Sequence, residues 1–71
     1  MVEELNNRIR HFRKASNLTQ AQLAERMRVS RKTVNTVENG VFAPSVIVAL
    51  KFAQALGTSV EHLFELTSPV G

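Results

Sequence analysis

The stretch that decides the fold is LTQAQLAERMRVSRKTVNTVENG, residues 18–40. It holds two short helical registers in succession, each opened by the same chemistry. Thr19 is placed to cap the first, and Gln22 three residues on completes a capping box. Leu18 and Leu23 stand in the hydrophobic-staple positions around that cap. Ser30 caps the second register, with Val29 and Val34 as its staple. Leu23, Ala24 and Met27 make the buried stripe of the first helix, Val34 and Val37 that of the second, and Gly40 stops the second. Between the two, Arg28 and Val29 leave room only for a tight turn.

Two helices joined so closely are set at a steep angle, the first steadying the second, which is a helix-turn-helix. The outer side of the second helix carries Lys32, Asn35, Thr36 and Asn39, flanked by Arg31 and Thr33, with no apolar residue among them. A helix that enters the major groove, about 12 Å wide, needs polar side chains outward and apolar ones inward. This one has both.

Outward from that stretch the segments also read as helices. Upstream, Leu5, Ile9, Phe12 and Ser16 follow a 3.6-residue stripe that predicts a helix over Glu3–Ser16, with Arg13 on the inward side and Asn17 as its left-handed stop. Downstream, Pro44-Ser45 opens VIVALKFAQAL, polar only at Lys51 and Gln54, which reads as a central helix ended by Gly57. Ser59, or Thr58 with Glu61, caps a fifth helix whose Val60, Leu63 and Phe64 point inward. Nothing has the period-2 alternation of a strand. The expectation is therefore all-α: a five-helix bundle with a helix-turn-helix, one domain over 1–71, core about 5–66, and a frayed tail at 67–71.

Composition narrows the function. The 71 residues contain no cysteine, so neither disulfides nor thiolate metal sites enter. The opening MVEELNNRIR lacks the apolar region of a secretory signal, and the longest apolar run, SVIVAL, is too short to span a bilayer. A cytoplasmic, nucleoid-associated protein is expected. Net charge is +3, unevenly spread. Residues 1–32 hold eight of the nine Lys and Arg against three Glu, which suggests one electropositive face. His11 and His62 have no carboxylate at ligand spacing, and Glu61 and Glu65 read as one exposed helix edge rather than an acid–base pair. With no phosphate loop and no nucleophile motif, no cofactor, metal or enzymatic activity is expected.

LTQ, LAE, VS, ENG and PS, with ALKFAQALG in the fourth helix, fall in the order and spacing of a known family. Over about Asn7–Leu66 the chain resembles the phage-repressor and Cro-like helix-turn-helix family, often called XRE-like. The resemblance implies a five-helix DNA-binding domain, usually a homodimer on a palindromic operator. It implies that Gln20 touches a phosphate and braces the recognition helix, that Arg31, Lys32 and Thr36 read bases with Thr33 and Asn35 beside them, and that Asn39 contacts the DNA backbone. It also pairs Arg13 with Glu38. An arginine on an apolar helix side needs a partner in any case, so that pair is assigned to structure rather than to DNA. Two positions depart from the pattern. Asn17 replaces a usual glycine, and so does Arg28; the arginine either is strained by about 1 kcal/mol at positive φ or sits in an adapted turn.

By side-chain chemistry Arg31 and Lys32 suit guanine, Asn35 adenine, and Thr36 a thymine methyl. Gln20, Arg28, Asn39, Arg10, Lys14 and Arg26 are the candidates for backbone contacts. Phe42 and Ile47 are candidate dimer contacts, Val48 is assigned to the core, and Val41 is left open between the two. The expected function is a transcriptional regulator of double-stranded DNA, as a homodimeric repressor, with no small-molecule ligand domain and no membrane partner. Restriction-modification controllers, antitoxin-type regulators and a protein-interaction module that has lost DNA binding share the same pattern.

Overall fold

The computed structural model describes residues 4–67. The elements run β1 (Glu4–Asn7), α1 (Ile9–Ala15), α2 (Gln20–Met27), α3 (Arg31–Glu38), α4 (Val46–Leu56), α5 (Val60–Leu63) and β2 (Phe64–Thr67). Five helices are present, but the fold is not purely α. β1 and β2 form a two-stranded antiparallel sheet with Glu4 opposite Thr67, Leu5 opposite Leu66, Asn6 opposite Glu65 and Asn7 opposite Phe64.

That sheet corrects the first helix, which starts at Ile9 and not at Glu3. The reason lies in two asparagines, residues that favour caps and turns over helix interiors. Asn7 Oδ1 accepts from the Ile9 amide (3.1 Å), so the side chain opens the helix there. The Arg8 amide donates across to the Leu63 carbonyl (2.8 Å), binding the strand end to α5. Leu5 keeps helical spacing to Ile9 only by coincidence. At the other end, Phe64 belongs to β2 rather than α5, and Thr67 is in a strand and not in a frayed tail. Glu65 likewise lies on the sheet, where it pairs with Arg8 (3.2 Å), and forms no helix edge with Glu61. The remainder of the expected tail, 68–71, falls outside the described residues.

The helix boundaries follow local chemistry. Thr19 and Gln22 form the full capping box on α2. Ser30, Ser45 and Ser59 each accept from the amide three residues on and so start α3, α4 and α5. Gly57 closes α4 in the left-handed conformation, φ 67°.

The core is built from Ile9, Leu23, Ala24, Met27, Val34, Val37, Phe52, Ala53, Leu56 and Leu63. All of the helices contribute to it, and Phe52 meets Phe64 edge to face with ring centroids 6.4 Å apart. α4 is central on one side only. Phe52, Ala53 and Leu56 are buried, but Val46, Ile47 and Leu50 are open to solvent, so the nearly all-apolar sequence does not mean all-round burial.

Candidate nucleic-acid interface

α2 and α3 are joined by Arg28–Ser30, and the join is a left-handed helix stop. Arg28 takes φ 57°, ψ 46°. Its amide donates to Glu25 O (3.2 Å), and the next amide, of Val29, donates to Ala24 O (3.0 Å). Val29 packs against the core and so fixes the angle at which the chain enters α3. The arginine occupies the strained alternative, not an adapted turn. Asn17 is the other non-glycine at positive φ, also 57°.

α3 presents Arg31, Lys32, Asn35 and Asn39 to solvent, with Thr33 and Thr36 half-buried beside them. Val34 and Val37 are buried beneath. Both threonine hydroxyls are engaged within the helix and its cap. Thr33 Oγ1 shares a hydrogen with Ser30 Oγ (2.9 Å), and Thr36 Oγ1 donates to Lys32 O (2.9 Å) and Thr33 O (3.2 Å). Thr36 therefore has its O–H turned back on the helix and does not present it as a donor. Asn35 Nδ2 donates to Gln20 Oε1 (3.2 Å), which ties the outer face of α3 to the first turn of α2. Among the described residues, Lys14, Arg26, Arg28, Arg31 and Lys32 make no ion pair, which leaves their charge available to an anionic partner.

The far end of α3 is held by the N-terminal segment. Glu38 is fully buried at its side chain and lies 2.8 Å from Arg13 Nη2 and 3.0 Å from Arg10 Nε. Arg13 also donates through Nε to the other carboxylate oxygen (2.9 Å), and through Nη1 to Leu18 O (2.9 Å). Burial alone would push the Glu38 carboxyl up. Hydrogen bonds from Arg13 and Arg10, together with their charges, outweigh it and hold the group below the usual carboxylate range. The hydrogen bond to Glu38 raises Arg13 in turn, against its own burial. Asn7 Nδ2 donates to Val37 O (3.0 Å), satisfying a carbonyl at the helix end.

Arg10, read from the sequence as a free cation for DNA, is engaged on the protein. Besides Glu38 it donates from Nη2 to Asn39 Oδ1 (2.8 Å). Sequence reasoning missed this contact, although Arg10 lies one position outside the inward stripe of α1. Arg26 and Arg28 line an open depression of about 470 Å³ with Lys51 and Gln54 of α4, so Lys51 joins the cationic surface. Phe42 and Ile47 are exposed, at 66% and 69%, while Val48 packs against the core. Among the described residues, no three His, Asp or Glu side chains are grouped to hold a metal. No helix there is long and apolar enough to cross a membrane.

A short capped helix, a left-handed turn and a second capped helix with a polar outer face define a helix-turn-helix domain. Comparison with known proteins agrees. A family model described as Helix-turn-helix matches residues 9–63. An uncharacterized HTH-type transcriptional regulator of Methanothermobacter thermautotrophicus is 46% identical over 59 residues, covering 82% of this chain and 86% of that protein. Another, from Methanocaldococcus jannaschii, is 37% identical over 60 residues, covering 84% and 91%. Among solved structures, the restriction-modification controller protein C.AhdI from Aeromonas hydrophila superposes with a TM-score of 0.72 at 33% identity, over 76% of this chain and 82% of that one. The clp gene regulator ClgR from Corynebacterium glutamicum gives 0.69 at 35% identity, over 73% and 55%. The chain belongs to the XRE-type helix-turn-helix family of DNA-binding transcription regulators.

Proposed function

We propose that this regulator represses transcription as a homodimer bound to a pseudo-palindromic operator, with α3 of each subunit in the major groove. The observation that carries the reading is the outer face of α3, where Arg31, Lys32 and Asn35 stand unburied over a valine face locked into the core. Arg31 and Lys32 read guanine, Asn35 reads adenine with Gln20 holding its amide, and the Thr36 methyl meets thymine. Gln20, Asn39, Lys14, Arg26 and Arg28 position the backbone, with Arg10 acting beside Asn39. The exposed apolar residues Phe42, Val46, Ile47 and Leu50 support pairing with a second copy, since such a group is large for so small a surface. Two recognition helices about 34 Å apart then meet successive turns of one face of the duplex.

The likeness to C.AhdI supports a second reading within the same chemistry, control of a restriction-modification system. Selection of bound duplexes from a random pool yields the operator, and its occurrence in the genome separates these roles. Against that operator, Arg31→Ala is expected to lose about 1–3 kcal/mol and to relax preference at one base pair. An unchanged base profile would remove Arg31 from the readout. A protein that retains no duplex in the selection would instead be an interaction module.

A further inference from the structure

We infer that Arg10 is a positioning residue that makes the C-terminal end of α3 into a phosphate clamp with Asn39. The inference rests on the reading that α3 docks on DNA, and it gives Arg10 a role that its charge alone does not supply. Arg13 already meets both oxygens of the buried Glu38 carboxylate. The acid therefore does not need a second partner for its charge to be compensated, and Arg10, with a side chain 56% exposed, carries a surplus positive charge at the surface.

The geometry directs that charge. Arg10 Nε is fixed on Glu38 at 3.0 Å, and Nη2 reaches Asn39 Oδ1 at 2.8 Å. This engages the carbonyl end of the Asn39 side chain and leaves Nδ2 as the group it turns outward. Of the five N–H groups of the Arg10 guanidinium, two are used and three stay free. The exposed side-chain groups here are donors on a cationic base, which suits phosphate oxygens. The effect matters because this is the carbonyl end of a helix, whose dipole disfavours an approaching anion. A lone asparagine here would turn either end of its amide outward and would face the phosphate against that dipole. Lysine does not substitute, because one ammonium nitrogen lacks the planar fork that spans Glu38 and Asn39 together.

The test is a double-mutant cycle of Arg10→Lys and Asn39→Ala on the selected duplex, read as affinity across a salt series. Arg10→Lys is expected to lose roughly tenfold in affinity, the size of one charge-assisted hydrogen bond. Its salt slope stays that of the wild type, because no cation has been removed. Asn39→Ala loses a similar factor, and the double variant is little weaker than either single one. The Asn39 side-chain amide resonance shifts in Arg10→Lys before any DNA is added, and a thermal melt checks that the fold is retained. Wild-type affinity in Arg10→Lys, or losses that multiply in the double variant, would overturn the clamp while leaving DNA binding intact. A wild-type protein without affinity for any duplex would overturn both.

Discussion

Arg28→Gly should leave this domain about as stable as the wild type and more stable than Arg28→Ala, while weakening its hold on DNA. Arg28 is held at φ 57°, where an L-residue is disfavoured by about 1–2 kcal/mol because Cβ crowds the following carbonyl. Glycine removes that term, but its freer unfolded chain returns about 0.4–1 kcal/mol. The arginine also sits at the C-terminal end of α2, where a cation gains about 0.3–1 kcal/mol from the helix dipole. Arg28→Ala is the control: it loses the charge and keeps the Cβ. The glycine variant should therefore exceed the alanine variant by about 0.5–1 kcal/mol in urea unfolding at unchanged m-value, or roughly 2–8 °C in Tm for a chain this size. Both variants should lower the slope of log affinity against log salt by about 0.9 if Arg28 neutralises one phosphate, with equal loss on operator and unrelated duplex. Equal stability of the glycine and alanine variants would refute the backbone argument, and a loss confined to the operator would refute the assignment to phosphate.

Acid should expose the arginine-held carboxylate. Because the folded-state value of Glu38 is lowered, its contribution is complete above the ordinary carboxylate value near 4.3 and disappears as pH falls through the lowered one. Urea unfolding from pH 7 to pH 2 should show a steep loss below about pH 4, and a shallower one in Arg10→Ala, where a single arginine remains; identical slopes would contradict the account. Separately, Ile47→Glu should turn a dimer into a monomer in sedimentation at micromolar concentration with the melting temperature little changed, whereas an undisturbed dimer would place the subunit contact elsewhere.

The helix-turn-helix was legible because its signals are local. A cap, its staple and a buried stripe lie within a few residues of one another in both α2 and α3. The sheet was not, since β1 and β2 are four residues each and acquire meaning only when residues 63 apart in sequence, Glu4 and Thr67, come together. The exposure of Val46 and Leu50 was hidden for a related reason: hydropathy says what a side chain prefers, and only packing says which side of α4 has neighbours. In the site, residue types and the outer face of α3 could be read directly. The Arg10–Asn39 contact joins different elements, so spacing along the chain carried no trace of it.

The pairing of β1 with β2 also has a kinetic side. Contacts of α2 with α3 and α4 close shorter stretches of chain, whereas the sheet joins the two ends of the described fold and must close a loop of some sixty residues, the slowest kind of closure. Folding is then expected to assemble the DNA-reading pair early and to zip the strands last. The same order, run backwards, makes strand separation the first opening of the native domain, and with it goes the grip of Asn7 on the end of the reading helix.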